Sequence, residues 1–294
     1  MLTEDEKIQG SDAWLSLRKH KITASEIPIL LGLSEYMTPF QLWEIKTGIK
    51  EAEPMNDAMK KGHEYEEKIR QWANEFYGTD FTPDVVIHPK IPLILASLDG
   101  YDAKSQALLE AKTCRIEIFE RLLSGLIPES WFAQMQIQMA CTSNQTCYLV
   151  AYNISSDKFF NCTIVRDDVL LEFLINEAIK FKELIDSNTP PDLIDRDYEH
   201  FSDDQTQQLA ERWCEAKSAL KMFEKLEEDL KVQLVKRTNN RNAIVNNIRI
   251  TKIVKSGAVD WKSLCDHYKI NENNQKDFRK PSCEYFKISD IKET

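Results

Sequence analysis

The sequence predicts an α/β protein in which a central mixed sheet is flanked by helices and followed by a mainly helical C-terminal extension. Short apolar runs that end at turn residues predict the strands, and amphipathic stretches with a helical period predict the helices between them. After Pro190 and Pro191 the composition changes to a long charged stretch. We therefore expect two domains, residues 1–190 and residues 191–294.

The composition is that of a globular protein. Of the 294 residues, 42% are hydrophobic and 29% are charged, and no apolar run approaches the ~18 residues of a transmembrane helix. Residues 1–6 are acidic and lack the apolar run of a secretory signal. The seven cysteines are scattered without a CxxC pair, which disfavours a zinc ribbon and fits a reducing compartment. We therefore expect a cytoplasmic protein.

The net charge of −10 limits the classes of nucleic-acid protein that the sequence fits. Lys and Arg supply most of the non-specific affinity for DNA, so the acidity argues against a protein that coats DNA passively. A metal site, by contrast, needs carboxylates, and its bound cations invert the local field. The charge is therefore compatible with a metal-dependent enzyme.

Helices are predicted on both sides of the first strand. Before it they cover residues 12–20, 24–31, 38–48 and 57–77. The TASE stretch at 23–26 is a capping-box pattern that would begin the second of these helices. Pro39 in its first turn and Gly48 at its end bound the third, and Gly78 ends the fourth. A further helix is expected over 129–142.

Two hairpins are predicted in the first domain. Their strands cover residues 91–98, 107–114, 146–153 and 158–165. Asp99 and Gly100 form a turn dipeptide directly after the first strand, so we expect the chain to turn there. After the second hairpin, Asp167 can cap a helix that ends near 187.

The extension begins with a long charged helix over about 202–238, with leucines at near-heptad spacing. A strand pair over 243–254 and a short helix over 259–268 follow. This segment is too thin to bury a large core alone, so it packs either on the first domain or on a partner.

Asp99, Glu110 and Lys112 are the candidate catalytic residues. Side chains two apart on a strand point the same way, so Glu110 and Lys112 share one face while Leu109 and Ala111 take the other. The hairpin can bring Asp99 beside them. Two carboxylates bind a hard cation such as Mg²⁺, and a nearby lysine can orient water for attack on a phosphodiester. The alternative is an ordinary solvated strand face with surface ion pairs of little consequence.

Further candidates surround this hairpin. Glu66 lies at the edge of the apolar face of the 57–77 helix, with Glu64 and Glu67 as alternatives. Arg18 with the hydroxyls of Thr23 and Ser25 can hold an anion at a helix start, although the same residues also fit a simple helix cap. On the 129–142 helix, Gln134 and Gln136 can hydrogen-bond a phosphate or the lysine, whereas Gln138 is interpreted as part of a polar face.

Five sequence blocks, in order, resemble the phage lambda exonuclease and YqaJ-type viral recombinase nucleases. They are GSDAWLSLR with ITASE at 10–26, GHEYE at 62–66, SLDG at 97–100, LEAK at 109–112, and AQMQIQM at 133–139. Each block alone is weakly specific, but their order across about 10–166 is specific. Leu98 stands where the family usually has proline.

The resemblance implies a PD-(D/E)XK nuclease fold and 5′→3′ digestion of one strand of duplex DNA, which leaves a 3′ overhang. Its metal-site residues would be Asp99, Glu110, the carbonyl of Ala111 and Glu66, holding Mg²⁺ or, in its place, Mn²⁺. Lys112 would position water. The 5′-phosphate ligands would be Arg18, Thr23, Ser25 and Ser97, and a glutamine of the pair Gln134 and Gln136 would support the site.

The resemblance also implies a homotrimer and a partner that anneals single strands, in the cytoplasm of a bacterial or phage-infected cell. The long extension puts the trimer in question, because an added helical arm could block or replace its interface. Two other functions stay open: an endonuclease on the same fold, and a non-catalytic module that binds DNA ends. The cysteine spacing disfavours a Cas4-like nuclease with an iron–sulfur cluster.

Overall fold

The structure is a computed structural model that describes residues 2–51, 57–253, 257 and 260–270. The chain divides into two compact units, Met1–Glu199 and His200–Thr294. The helices of the first unit are α1 (Glu4–Lys7), α2 (Asp12–His20), α3 (Ile27–Leu30), α4 (Pro39–Thr47), α5 (Asp57–Tyr77), α6 (Ile116–Leu123), α7 (Glu129–Thr142) and α8 (Asp168–Asp186). Within the described ranges, no helix combines the length and the apolar character that a membrane crossing requires.

A mixed sheet forms the centre of the first unit. Its strands are β1 (Ile22–Thr23), β2 (Thr82–Ile87), β3 (Ile94–Asp102), β4 (Ala107–Cys114), β5 (Thr146–Asn153) and β6 (Lys158–Val165). The order is β1-β3-β4-β5-β6, and β2 also pairs with β3. The β1–β3 and β4–β5 pairs are parallel, and the others are antiparallel.

The two faces of the sheet bury different cores. On one face, residues such as Leu98 and Leu108 pack with α3, α7 and α8. On the other, Leu109 and Ala111 pack with Ile69 of α5. The predicted alternation along β4 is therefore confirmed. Leu109 and Ala111 face α5, whereas Glu110 and Lys112 contact Gln134 of α7.

Local signals place several elements correctly. Ser11 caps α2 through the Trp14 N–H, Thr38 forms a capping box at the start of α4, and Asp167 caps α8. The predicted helix at 24–31 is instead a 3-10 turn, Ala24–Glu26, followed by α3, although the capping box of Thr23 is present. These caps act within four residues of sequence, which explains why the sequence shows them.

The predicted turn at Asp99 and Gly100 is wrong, because β3 continues through both residues to Asp102. Gly100 serves close packing instead: a Cβ there would lie 2.8 Å from Cβ of Phe81 and 3.1 Å from Cβ of Leu109. Glycine in a strand interior often marks such a close approach.

The sequence pattern did not predict β1, β2 or α6. In β2, Pro83 weakens the strand signal, and the register of the β2–β3 pair shifts between Thr82 and Asp84, which accommodates it. β1 has two residues and forms only because it meets β3. β1 depends on a partner about 70 residues later in the chain, whereas β2 pairs with the strand that follows it.

The second unit contains α9 (Asp204–Arg237), the strand pair β7 (Ala243–Val245) and β8 (Ile248–Ile250), and α10 (Trp261–His267). These elements confirm the predicted long helix, strand pair and short helix, except that residues 254 and 259 of the predicted ranges lie outside the described residues. α9 has no fully buried residue, and four of its leucines, Leu209, Leu220, Leu226 and Leu230, are exposed.

Candidate active site

Asp99 lies where β3 and β4 separate. The β3–β4 pairs are Gly100 with Leu109, Tyr101 with Leu108, and Asp102 with Ala107. Beyond Gly100 the side chain of Asp99 takes the place of a backbone partner, because its Oδ2 accepts the N–H of Ala111 at 2.8 Å. The strand opening therefore directs a carboxylate towards β4.

Glu110 is completely buried in this opening. Its Oε1 accepts from Lys112 Nζ and from Gln134 Nε2, both at 2.6 Å. Its Oε2 accepts from Nε2 of Gln138. A buried carboxylate needs such donors, and two of the three come from one face of α7.

Lys112 is held between the carboxylates and α7. Its ammonium also donates to Oε1 of Gln134 at 3.1 Å. Burial disfavours the charged ammonium, but the neighbouring carboxylates, led by Glu110 and Asp99, raise the pKa of Lys112 above its ordinary value. The lysine is therefore a cation at neutral pH in the absence of a metal.

The surroundings of Asp99 disfavour its charged form, whereas those of Lys112 favour the charged form. Burial, together with the negative charges of Glu110 and Glu66, raises the pKa of Asp99 well above its ordinary value. Glu66 on α5 therefore lies close enough to act electrostatically on Asp99, and its role as a metal-site carboxylate stays a prediction. We call Asp99, Glu110, Glu66 and Lys112 the carboxylate cluster.

Arg70, one turn after Glu66 on α5, fixes the backbone at this centre. Its Nη1 donates to the carbonyl of Asp99, and its Nη2 forms an ion pair of 2.6 Å with Glu67. Glu67, an alternative to Glu66 in the sequence, thus orients Arg70 rather than joining the cluster.

Arg18, Thr23 and Ser25 form a second group, which we call the Arg18 pocket. The hydroxyls of Thr23 and Ser25 are 3.1 Å apart, and Nη2 of Arg18 lies 3.5 Å from Oγ of Ser25. The guanidinium stacks over the ring of Trp14, 4.6 Å from its centroid. A guanidinium and two hydroxyls suit an anion such as a phosphate.

Ser97 connects the two groups. Its Oγ accepts from the indole Nε1 of Trp14 at 3.1 Å, and its carbonyl accepts from Nε2 of Gln138 at 3.3 Å. A continuous polar path therefore runs from Arg18 through Trp14, Ser97 and Gln138 to the carboxylate cluster.

Comparison with known protein families gives a match within the first unit. Residues 13–145 match the model of the YqaJ-like viral recombinase domain. Over these residues the chain is similar to that domain, and we call the first unit the YqaJ-like domain. The resemblance seen in the five sequence blocks is thereby confirmed.

Two relatives of the YqaJ-like domain support this identification. The uncharacterized protein YqaJ of Bacillus subtilis (strain 168) is 31% identical over 176 residues, which cover 58% of this chain and 54% of that protein. This chain thus spans about half the length of its curated relative. The crystal structure of the alkaline exonuclease LHK-Exo from Laribacter hongkongensis matches with a TM-score of 0.53 at 25% identity, covering 60% of this chain and 94% of that one.

A second structure of LHK-Exo, in complex with dAMP, matches with a TM-score of 0.53 at 26% identity and with the same coverage of both chains. The YqaJ-like domain therefore has the PD-(D/E)XK nuclease fold of these exonucleases, a mixed sheet flanked by helices. The predicted fold class is confirmed.

The YqaJ-like domain has the charges of a site for a divalent cation. Burial of Asp99, and after it the negative charges of Glu110 and Glu66, raise the pKa of Asp99. In the part of the chain that the structure describes, no three acidic, histidine or cysteine side chains are arranged as a ready metal cluster. Instead Lys112 supplies the positive charge at Glu110. Excess carboxylate charge in a dry site is what a hard cation relieves.

The structure separates the three glutamines of α7. Gln134 contacts both Glu110 and Lys112, as predicted for one of the pair. Gln136 does not reach the cluster: its Nε2 donates to the carbonyl of Val165, and its Oε1 accepts the N–H of Asp167. Including Gln136 among the site residues was therefore wrong, because it joins α7 to the end of β6 and the start of α8.

Gln138 is the residue that the sequence interpretation missed. It is fully buried against Glu110 instead of facing solvent, and its Oε1 is a buried atom without a hydrogen-bond partner among the described residues. Gln134 and Gln138 are four residues apart, and this i,i+4 spacing on a helix beside a glutamate was the available signal.

Proposed function

We propose that the YqaJ-like domain is a Mg²⁺-dependent 5′→3′ exonuclease that digests linear double-stranded DNA. The 3′ overhangs it leaves would serve phage-type recombination by strand annealing. The observation that carries this proposal is the polar path that links a carboxylate–lysine cluster to an anion pocket. An alkaline exonuclease with the same fold, also crystallised with dAMP, supports it.

Asp99, Glu110 and Glu66 would hold the cation, with the carbonyl of Ala111 as a further ligand. Mn²⁺ would substitute, since both are hard cations that take oxygen ligands. When bound, the cation supplies Lewis acidity to the phosphate and lowers the pKa of water. The N–H of Ala111 keeps the Asp99 carboxylate directed into the site.

Lys112 would orient the attacking water. Gln134 donates to Glu110 and accepts from Lys112, so it fixes the position of both side chains relative to each other. With its raised pKa, Lys112 is a hydrogen-bond donor at neutral pH and stabilises the negative charge of the phosphate in the transition state.

Arg18, Thr23, Ser25 and Ser97 would bind the 5′-phosphate of the DNA end. A pocket for a terminal phosphate is useful to an enzyme that begins at ends, and it does not serve an endonuclease. Ser97 lies two residues before Asp99 on β3, so a phosphate held there is placed at a fixed distance from the carboxylate cluster.

Digestion of duplex DNA with defined ends tests the proposal. In Mg²⁺, we expect rapid release of nucleotides from linear duplex with 5′-phosphates, slower release from 5′-hydroxyl ends, and release slowed at least about 100-fold with Lys112→Ala. Cleavage of closed circular duplex at the rate of linear duplex would instead establish an endonuclease. DNA-end binding without any cleavage would establish a non-catalytic module.

We further propose a homo-oligomer, a trimer by resemblance, and a protein partner that anneals single strands. The exposed apolar side chains of α9 support a protein contact; they include Leu209, Leu220, Phe223, Leu226 and Leu230. Removal of residues 200–294 should change the number of subunits in solution or abolish binding of the annealing protein. A truncated protein with the same number of subunits and unchanged binding would assign α9 neither role.

A further inference from the structure

Lys46 on α4 is a buried lysine that the proposed reaction does not use. Its side chain is 3% exposed and lies 2.8 Å from Oε2 of Glu26. Its ammonium donates to the carbonyls of Arg18 and Lys21, both at 2.7 Å. Burying an ammonium is costly unless a counter-charge and hydrogen bonds compensate, and all three are present.

Glu26, the partner of Lys46, lies directly behind the Arg18 pocket. Its side chain is 10% exposed, and its Oε1 is 3.8 Å from Nη2 of Arg18. Its Oε2 accepts the N–H of Thr23 at 2.9 Å. A carboxylate at this position repels a phosphate and attracts the guanidinium of Arg18, and both effects are strong where water is excluded.

We propose that Lys46 is a positioning residue that makes the Arg18 pocket selective for a terminal phosphate, by neutralising Glu26. Arg18 and Lys46 carry two positive charges against the one negative charge of Glu26, so the pocket retains one unit of positive charge. Without Lys46 the sum is zero, and Arg18 is drawn to Glu26. This inference rests on the proposed 5′-phosphate pocket and extends it to a residue behind the DNA-contacting groups.

The local geometry also supports a positioning role. Lys46 holds the carbonyls of Arg18 and Lys21, which lie at the end of α2, so it fixes the backbone from which Arg18 extends. Burial lowers the pKa of Lys46, and Glu26 opposes that shift. The positive charge of Lys46 is therefore supported by Glu26.

The test compares digestion of linear duplex with 5′-phosphate and 5′-hydroxyl ends in Mg²⁺. Lys46→Met should reduce the preference for phosphorylated ends about tenfold. Its rate on hydroxyl ends should stay within about twofold of the wild type, because the carboxylate cluster is intact. Lys180→Met, which breaks the exposed ion pair of Lys180 with Glu177, is the matched control and should keep the full preference.

The double variant Glu26→Gln with Lys46→Met separates charge from folding. In this double variant Arg18 supplies the remaining charge of the pocket. The preference for 5′-phosphate ends that Lys46→Met loses should therefore return. Where Lys46→Met does not fold, the double variant decides alone: a folded double variant without the preference overturns the inference.

The wild type distinguishes the two proposals. A wild type that digests both ends equally contradicts the 5′-phosphate pocket itself. A wild type with a clear preference that Lys46→Met retains contradicts the role of Lys46 and leaves the proposed function standing.

Discussion

The carboxylate cluster and the Arg18 pocket have excess charges of opposite sign, although each contains a buried ion pair between a glutamate and a lysine. In the cluster, three carboxylates outnumber one lysine; burial first, and then the charges of Glu110 and Glu66, raise the pKa of Asp99. In the pocket, two cations outnumber Glu26, and the excess is positive. Each region buries a pair of opposite charges and leaves one sign unbalanced, so one region suits a cation and the other an anion.

The two regions also differ in how their side chains are held. Two amides of α7 hold the cluster from within, whereas the pocket depends on a cation–π contact with Trp14 and on backbone held by Lys46. We therefore expect changes in the cluster to alter the rate of chemistry, and changes in the pocket to alter the choice of DNA end.

The largest effect is expected from Lys112→Ala. Loss of the residue that orients water should reduce the single-turnover digestion rate about 10²–10⁴-fold, the usual contribution of such a group. Binding of phosphorylated duplex ends, measured by fluorescence anisotropy, should change little, since the Arg18 pocket is intact. Unchanged Mg²⁺-dependent digestion would remove Lys112 from the site, and loss of both properties together would break the division between the two regions.

Arg18→Ala should produce the complementary result. Loss of a charged hydrogen-bond donor should reduce the preference for 5′-phosphate ends roughly 10–100-fold. Digestion from 5′-hydroxyl ends is the control and should proceed as in the wild type. A variant that slows equally on both ends would show that Arg18 serves the chemical step rather than end selection.

Gln138→Leu tests whether the buried amide positions Glu110. We expect Mn²⁺ affinity, measured by calorimetry, to fall about tenfold, as is common when a group that orients a metal ligand is removed. Gln136→Leu is the matched control, because Gln136 is equally buried on α7 but bonds to Val165 and Asp167. It should lower stability and leave Mn²⁺ affinity unchanged. If Gln138→Leu and Gln136→Leu bind Mn²⁺ with equal affinity, Gln138 contributes to packing and does not position Glu110 for metal binding.

The smallest effect is on stability, from Asp99→Asn. The raised pKa of Asp99 means that the folded state holds this proton more tightly than the unfolded state. Its contribution is therefore fully present below the unfolded pKa and is lost as pH rises through the folded pKa. Without metal at neutral or alkaline pH, the variant should be more stable by about 1–2 kcal/mol, because it lacks the unfavourable charge.

Denaturant unfolding with a chelator at several pH values measures this difference. The gain should shrink as the pH falls towards and below ~4, where the unfolded state of the wild type also takes up the proton on Asp99. A variant that is less stable than the wild type at neutral pH would show that the charge of Asp99 does not destabilise the metal-free cluster.

Much of the fold and part of the site follow from local sequence. The caps at Ser11, Thr38 and Asp167 bind backbone N–H groups two or three residues later, and α8 begins where the predicted Asp167 cap places it. The alternation along β4 is equally local, so the sequence alone placed Glu110 and Lys112 on one face.

The tertiary structure decided what depends on distant partners. β3 continues through Asp99 and Gly100, where Phe81 and Leu109 pack closely against Gly100. The local sequence, which reads as a turn, does not indicate this packing. The packing of α7 against the sheet directs Gln138 to Glu110 and Gln136 away from it. α4 brings Lys46 to Glu26 across 20 residues of chain. Sequence periodicity fixes which side of an element a residue occupies, but only the packing of elements fixes which charge it meets.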